Sequence, residues 1–358
     1  MKRITSKIIF ILLLVCVVIP SQVYGINKIP IKLKVFWTSG YDDNILKYSP
    51  RDLDRFENNT ENYPSEIATS DDWINSFGLR VYHDFKLGKY FRWRPYYSGR
   101  LSMYASNSLK NGQSHFFLSR LTYRYRIYLY LQYSYMPGYY LRIYQDRDTN
   151  QYQSCNFNIY RPSVRIKYRH KPFEVDVRYG KEYIYYNEYF TEYDSEAYFT
   201  RVSGAYESPL GFDLSLGYEF KVSDNIGFDQ TSVLGVTLVE EDTEYGDSSY
   251  EENRYLFTLD YKLPVKSAFD WSVGIDFDRR LRYYQSGQPF DIDKFHAGRK
   301  DRRDRIETTV TCTPSSNLNV GFSFIYDQRR TESPDPIVSS IKNFDHRTIE
   351  LTMIYTVF

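Results

Sequence analysis

The chain contains few cysteines and only one long apolar run. Of three cysteines in 358 residues, only Cys155 and Cys312 lie beyond the first 25. The apolar run, Ile8–Ile19, is too short to hold a helix across a membrane, and no later segment approaches about 18 consecutive apolar residues. These absences exclude a helical membrane protein.

The first 25 residues have the order of a secretory signal peptide. Lys2 and Arg3 precede the apolar run, and residues 23–25 offer small or apolar groups at the positions that a signal peptidase reads. We therefore predict cleavage near Gly25, export, and a single domain over residues 26–358. Nothing resembling a linker interrupts that range.

The composition excludes a disordered chain and favours a barrel. Aromatic residues make up 18% of the chain and include 38 tyrosines, whereas disordered chains are poor in aromatic residues. The mean hydropathy is nevertheless negative. Aromatic girdles around a polar lumen account for both properties at once.

Apolar and polar residues alternate with a period of two in about fourteen segments. One such segment is 318–327, in which an apolar row is formed by Leu318, Val320, Phe322, Phe324 and Tyr326. The same alternation runs through 212–221 and 269–278. Because successive side chains of a strand point to opposite faces, each segment is expected to be an amphipathic strand. A β-sandwich shows this pattern too, so the connections must decide between the two folds.

Long polar loops alternate strictly with short turns between the predicted strands. The strands are predicted at 31–42, 73–87, 90–105, 114–124, 127–144, 157–170, 173–187, 195–207, 211–223, 249–263, 267–283, 302–313, 317–330 and 344–358. The turn at Tyr125-Arg126 lacks the Gly and Pro that mark the other turns. This rhythm predicts an all-β antiparallel up-and-down barrel of about fourteen strands, with both termini at the end of the short turns. On that strand assignment Cys155 and Cys312 lie at opposite ends of the barrel, so we predict no disulfide between them.

On these features the chain resembles the porin-like outer-membrane β-barrel proteins of Gram-negative bacteria in general. The resemblance spans residues 26–358 and includes the terminal Phe358, which is similar to the signal that the barrel-insertion machinery recognises. The apolar row of that last strand runs through Ile349 and Leu351, however, and Phe358 falls in the opposite phase. The resemblance implies a transmembrane barrel in the outer membrane that contacts lipid and the insertion machinery, with extracellular loops and periplasmic turns.

Charge is sorted along the chain although the formal net charge is only +1. Basic residues dominate 73–170 and acidic residues dominate 171–278. Because sequential strands are neighbours in an up-and-down barrel, we expect one half of the lumen wall to be basic and the other acidic. The predicted basic wall comprises Arg80, Arg92, Arg94, Arg100, Arg120, Arg124, Arg165, Lys167 and Arg169. The predicted acidic wall comprises Glu174, Asp176, Asp213, Glu219, Asp260, Asp270, Asp276 and Asp278.

Opposed charged walls across a wet lumen orient dipolar solutes and exclude apolar ones. We therefore expect a channel for the passive passage of small hydrophilic solutes. Two alternatives stay open: the charges pair across the lumen and plug it, because desolvated charges need partners, or a closed barrel serves as a surface-binding or structural module through Tyr-rich loops such as 183–193. Loops 43–72 and 224–248 folded inward favour the closed module, and loops that stand outward favour the channel.

The sequence predicts no enzyme, cofactor, metal ion or nucleic-acid partner. The acidic loop 240–247 lacks the spacing of an EF-hand, so we expect it to be solvated rather than to bind Ca²⁺. Asp42-Asp43 and Asp345-His346 become neighbours if the barrel closes, and a carboxylate beside an imidazole could activate water. A hydrolase at the rim is the least favoured alternative. The basic segment 299–305 lies near the outer rim, where it either contacts lipopolysaccharide phosphates or is solvated.

Overall fold

The computed structural model describes residues 31–58, 65–146, 151–227, 246–265 and 267–357. Its strands are β1 Lys32–Asp42, β2 Asp72–Tyr82, β3 Phe85–Leu87, β4 Phe91–Tyr104, β5 Gly112–Tyr123, β6 Ile127–Asp146, β7 Gln151–His170, β8 Phe173–Tyr186, β9 Ser195–Glu207, β10 Phe212–Asn225, β11 Tyr250–Lys262, β12 Asp270–Tyr284, β13 Lys300–Ser315, β14 Leu318–Glu332 and β15 Phe344–Thr356. The helices are α1 Pro50–Glu57 and α2 Pro336–Lys342. Within these ranges no helix is long and apolar enough to cross a membrane.

The strands close into one antiparallel barrel. From β4 to β15 each strand pairs with its neighbour in the chain, β1 pairs with β2 and with β15, and β2 pairs with β4. The short β3 continues the path of β2 and pairs with the same neighbour, β4. The ring therefore has fourteen positions, and the predicted fold class is confirmed.

The two ends of the barrel differ, as the sequence predicts. The end called the turn end carries the short connections, such as 316–317 between β13 and β14, and both termini of the barrel. The end called the loop end carries the long connections. The turn between β5 and β6, which contains no Gly or Pro, is tight. Arg124 and Tyr125 have φ values of 48° and 55°, and Arg126 N donates to Tyr123 O at 3.0 Å.

The outer surface of the barrel is apolar and ends in aromatic residues. Phe322 and Phe324 of β14 are exposed, whereas Ser323 between them is buried. Aromatic pairs that belong to outward rows lie at both ends, with Phe173 and Tyr206 at the turn end, and with Tyr135 and Tyr160 at the loop end among others. An apolar belt between two aromatic girdles is the outer surface of a transmembrane barrel.

Some predictions fall outside the described residues. These are the signal peptide 1–25, the acidic residues Glu240, Glu241, Asp242 and Glu244, most of loop 224–248, and Phe358. Cys155 and Cys312 are both free thiols, so the prediction of no disulfide is confirmed.

Candidate functional site: the charged lumen

The structure places eight of the nine predicted basic-wall residues on inward rows of their strands. In these rows Arg94 is paired in register with Arg120, and Arg165 follows two strands further on. The prediction for Arg124 is wrong, because it occupies the turn between β5 and β6. There its guanidinium lies 4.6 Å from the centroid of the Tyr90 ring. The left-handed backbone of the turn takes this residue out of the alternation on which the prediction depended.

Basic and acidic residues form ion pairs where the two halves of the wall meet. Arg165 of β7 donates to Asp176 of β8 through two bonds of 2.8 Å, and Lys167 Nζ lies 3.0 Å from Glu174 Oε2. Arg169 donates to Glu207 of β9. These pairs join neighbouring or next-neighbouring strands, so they lie along the wall.

The predicted acidic half contains arginines as well. Glu219 of β10 lies 3.3 Å from Arg161 and 3.6 Å from Arg254, and Asp278 of β12 binds Arg254 and Arg280, each at 2.8 Å. Several carboxylates of the predicted acidic wall are therefore paired with arginines. The count of charged residues along the sequence did not reveal this pairing, because the arginines of this half lie among a larger number of carboxylates.

Carboxylates without cations remain near the turn end. Asp213 and Asp260 face each other in register on β10 and β11, and Asp276 of β12 accepts a 2.6 Å hydrogen bond from Thr258 Oγ1. Asp270 is exposed at the first position of β12. Among the described residues none of these four has a basic group within ion-pair distance. They form an acidic lining of the lumen near the turn end, on the side of β10 to β12.

Basic residues without a carboxylate of the described ranges at ion-pair distance lie near the middle of the path formed by β2 and β3, and in β4. The guanidinium carbons of Arg80 and Arg100 lie 5.0 and 5.4 Å from the ring centroid of Phe36, an inward residue of β1. Gly78 makes this possible, because a Cβ there would clash with the Phe36 ring. Arg92 stacks on Tyr125 at 4.4 Å, whereas Arg94 and Arg120 share Asp84.

Arginines also follow one register line from strand to strand, and we call this line the arginine row. The successive partners from β4 to β14 are Arg94, Arg120, Tyr130, Arg165, Arg178, Arg201, Glu219, Arg254, Arg280, Arg303 and Arg329. Because barrel strands are tilted, a register line climbs along the wall. The row starts near the turn end at Arg94 and ends near the loop end at Arg329.

A lumen segment, residues 43–57 including α1, folds into the barrel from the loop end. On one side Lys47 Nζ lies 2.8 Å from Asp327 Oδ2 of β14. On the other side Arg142 of β6 donates to Leu46 O at 3.2 Å. Since β15, β1, β2, β4 and β5 separate β14 from β6 around the ring, the segment crosses the lumen.

A cavity of about 380 Å³, called the outer chamber, lies beside the lumen segment and α2. Its basic lining residues are Lys47, Lys110, Arg142, Arg280, Arg282, Arg299, Arg303, Arg329 and Lys342, and its carboxylates are Glu252 and Asp301. A second cavity of about 350 Å³ shares Arg280 and Arg282 with it, so the two are contiguous. Sequence reasoning placed Arg299–Arg305 at the rim and did not foresee this chamber, since it is assembled from elements far apart in the chain.

Asp42 and His346 do meet, as the sequence suggested for a closed barrel. His346 Nε2 lies 2.9 Å from Asp42 Oδ1, and its Nδ1 lies 3.8 Å from Asp327 Oδ2. Asp42, Asp43 and His346 are the one group of this kind in the described ranges that could hold a metal ion. Asp43 already accepts a hydrogen bond from Arg347 N at 2.7 Å, and Lys47 and Arg303 both bind Asp327. These commitments favour a structural role in closing the barrel.

The fold and the charged lumen define a porin-like transmembrane β-barrel. Among solved structures the chain is similar to the outer membrane channel DcaP of Acinetobacter baumannii, with 10% identity, coverage of 91% of this chain and 96% of that chain, and a TM-score of 0.44. It is also similar to an anion-selective porin from Comamonas acidovorans, with 8% identity, coverage of 91% and 98%, and a TM-score of 0.42. Similarities of this size concern the fold alone. No protein-family model matches the chain, and neither does any curated protein.

Proposed function

We propose that this protein is an outer-membrane channel for the passive passage of small hydrophilic solutes, exported by its predicted signal peptide. The observation that carries the proposal is the placement of the lumen ion pairs. Pairs such as Arg165–Asp176 and Arg254–Asp278 join neighbouring strands along the wall. Charges held in this way are satisfied without bridging the lumen, so its centre can hold water.

The lumen segment makes this a narrow channel rather than a wide pore. It crosses the loop end between Asp327 and Arg142, and it carries a small apolar cluster that includes Ile45, Leu46 and Tyr48. The two contiguous cavities lie beside it. A solute entering from the loop end would pass between the segment and the wall formed by β11 to β14.

The closed surface-binding module remains the second candidate function, because the lumen segment folds inward. Single-channel recording of the refolded protein in a planar bilayer separates the two. Steady open steps support the channel. A Lys47→Met/Arg142→Met variant releases both anchors of the segment and is expected to conduct more than the parent. Silence from both folded proteins would contradict the channel and favour the module.

We further propose that the loop end contacts lipopolysaccharide phosphates from outside the barrel. Arg302 and Arg279 are 53% and 43% exposed there and share Asp304, and Arg330 pairs with Asp345. Arginine binds phosphate through paired hydrogen bonds. An Arg302→Gln/Arg330→Gln variant should retain less lipopolysaccharide during purification, and retention equal to the parent's would contradict the contact.

A further inference from the structure

Three members of the arginine row have no carboxylate within ion-pair distance among the described residues. Arg178 Nε donates to Ser163 Oγ at 3.0 Å, and Arg329 Nε donates to the carbonyl oxygen of Lys342. Arg201 is the third. A guanidinium carries five N–H donors, so each of the three keeps donors for another acceptor.

Two lysines of the outer chamber also have no carboxylate within ion-pair distance among the described residues. Lys110 Nζ donates to Tyr140 O at 2.9 Å, and Lys342 Nζ lies 5.6 Å from the centroid of the Phe295 ring. No carboxylate of the described ranges lies within ion-pair distance of either lysine. An ammonium group has three donors, so neither lysine is saturated by these contacts.

The outer chamber has an excess of positive charge. Its lining contains nine basic side chains and two carboxylates, and the carboxylates Asp52, Asp278 and Asp327 pair with some of the nine from outside the lining. Burial lowers the pKa of Lys110 to about 8 and of Lys342 to about 7, and neighbouring cations act in the same direction. A bound anion would reduce the repulsion among these cations.

The chamber joins the upper end of the arginine row. Arg280, Arg303 and Arg329 belong to both. The row descends from there through Arg201 and Arg178 toward Arg94 near the turn end. An anion leaving the chamber would meet an arginine on almost every strand that it passes.

We propose that the outer chamber and the arginine row form a binding path for small organic anions that carry two or more acidic groups. The charge excess exceeds what one monovalent anion can balance. The volume of about 380 Å³ is within the usual range for ligand sites, and Leu46, Ile341 and Tyr144 offer apolar contact to a carbon skeleton. This inference names a solute class and so rests on the proposed channel.

The test measures tartrate binding by calorimetry on the folded full barrel in non-ionic detergent, with lactate and sulfate as comparison probes. Tartrate is expected to bind at least about tenfold more tightly than either, because it offers two carboxylates and a skeleton. Arg329→Gln/Lys342→Gln should weaken tartrate binding by about tenfold or more. Lys86→Gln/Lys89→Gln removes the same charge at the turn end and should bind like the parent.

The charge-preserving variant Arg329→Lys/Lys342→Arg keeps the test valid if the neutral one misfolds, and it should retain most of the affinity. Binding lost only in the chamber variant supports the proposal. Tartrate binding without conductance would support the anion-binding site and contradict the proposed channel. Conductance with no tartrate binding, or with sulfate bound as tightly as tartrate, would overturn the inference and leave the channel standing.

Discussion

At the residue scale, Asp327 is the main anchor of the lumen segment. It is 1% exposed and accepts hydrogen bonds from Arg303 Nε at 2.7 Å and from Lys47 Nζ at 2.8 Å. Asp327→Asn leaves both cations without a charged partner, so we expect it to lower the free energy of unfolding by about 3 kcal/mol. Urea unfolding of the refolded barrel measures this change.

The matched control is Asp345→Asn. Asp345 pairs with Arg330 at 2.7 Å, but the two side chains are 42% and 39% exposed. Exposed pairs contribute less than about 1 kcal/mol. Equal losses in the two variants would show that burial does not strengthen the Asp327 contacts.

A pH effect is expected from Lys342, which lies outside the membrane-spanning strands. Burial lowers its pKa to about 7, helped by Arg299, Arg329 and Arg142 and opposed by Asp301. A bound anion favours the charged lysine and raises this pKa, so binding takes up a proton. Tartrate affinity should therefore increase by up to about tenfold as the pH falls from about 8 to about 6.

Tartrate itself stays fully ionised over that range, so the change would belong to the protein. Calorimetry at three pH values measures it. Lys342→Gln should reduce the pH dependence, and the part that remains is expected from Lys110, whose pKa burial lowers to about 8. An affinity that stays constant in the parent, or that increases with pH, would remove Lys342 from the site.

At the scale of elements, the turn between β5 and β6 stores strain. Arg124 and Tyr125 both have left-handed backbones, which non-glycine residues disfavour by about 1 to 2 kcal/mol each. Asn-Gly accommodates two consecutive left-handed residues. The double variant Arg124→Asn/Tyr125→Gly is expected to gain about 1 kcal/mol in unfolding free energy, after the loss of the Arg124–Tyr90 and Arg92–Tyr125 contacts.

Gly88→Ala is the converse experiment. Gly88 has a φ of 72°, and a Cβ there would meet nothing within 4 Å. The loss of unfolding free energy in Gly88→Ala therefore comes from the backbone conformation alone and should be about 1 kcal/mol. Suppose that Gly88→Ala lowers the unfolding free energy but the double variant at 124 and 125 does not raise it. The contacts of the Arg124 and Tyr125 side chains would then offset the cost of their left-handed backbones.

The strands could be predicted from the sequence because alternation is a local signal. Segment 318–327 predicts a strand by itself, and β14 spans it. The lumen segment also had a local signal: Ser49 caps α1 by accepting a hydrogen bond from Asp52 N at 3.0 Å, and Pro50 follows it. Ser before Pro is a helix start. No local pattern says that such a helix turns inward, because that depends on partners such as Arg142 and Asp327.

At the scale of the whole molecule, register decides what the lumen contains. The sequence count separates 73–170 from 171–278, but it cannot align Arg94 with Arg329 around the ring. That alignment depends on the offset of every strand pair. The halves predicted from composition therefore persist only in part. In the described ranges Arg80 and Arg100 have no carboxylate within ion-pair distance, and Asp260 and Asp276 have no basic group within that distance.

These charges without ion-pair partners predict opposite selectivity changes in two variants. Arg80→Gln/Arg100→Gln should shift the reversal potential in a salt gradient toward cations, and Asp260→Asn/Asp276→Asn should shift it toward anions. A charge acting across about 10 Å of water contributes about 0.4 kcal/mol, or about twofold in ion partition, and the effect should fade at high salt because of screening. Arg80→Lys/Arg100→Lys is the control, since it keeps both charges and should leave the reversal potential unchanged. Shifts of the same sign in both variants, or none at low salt, would show that these two sets of charges do not select ions.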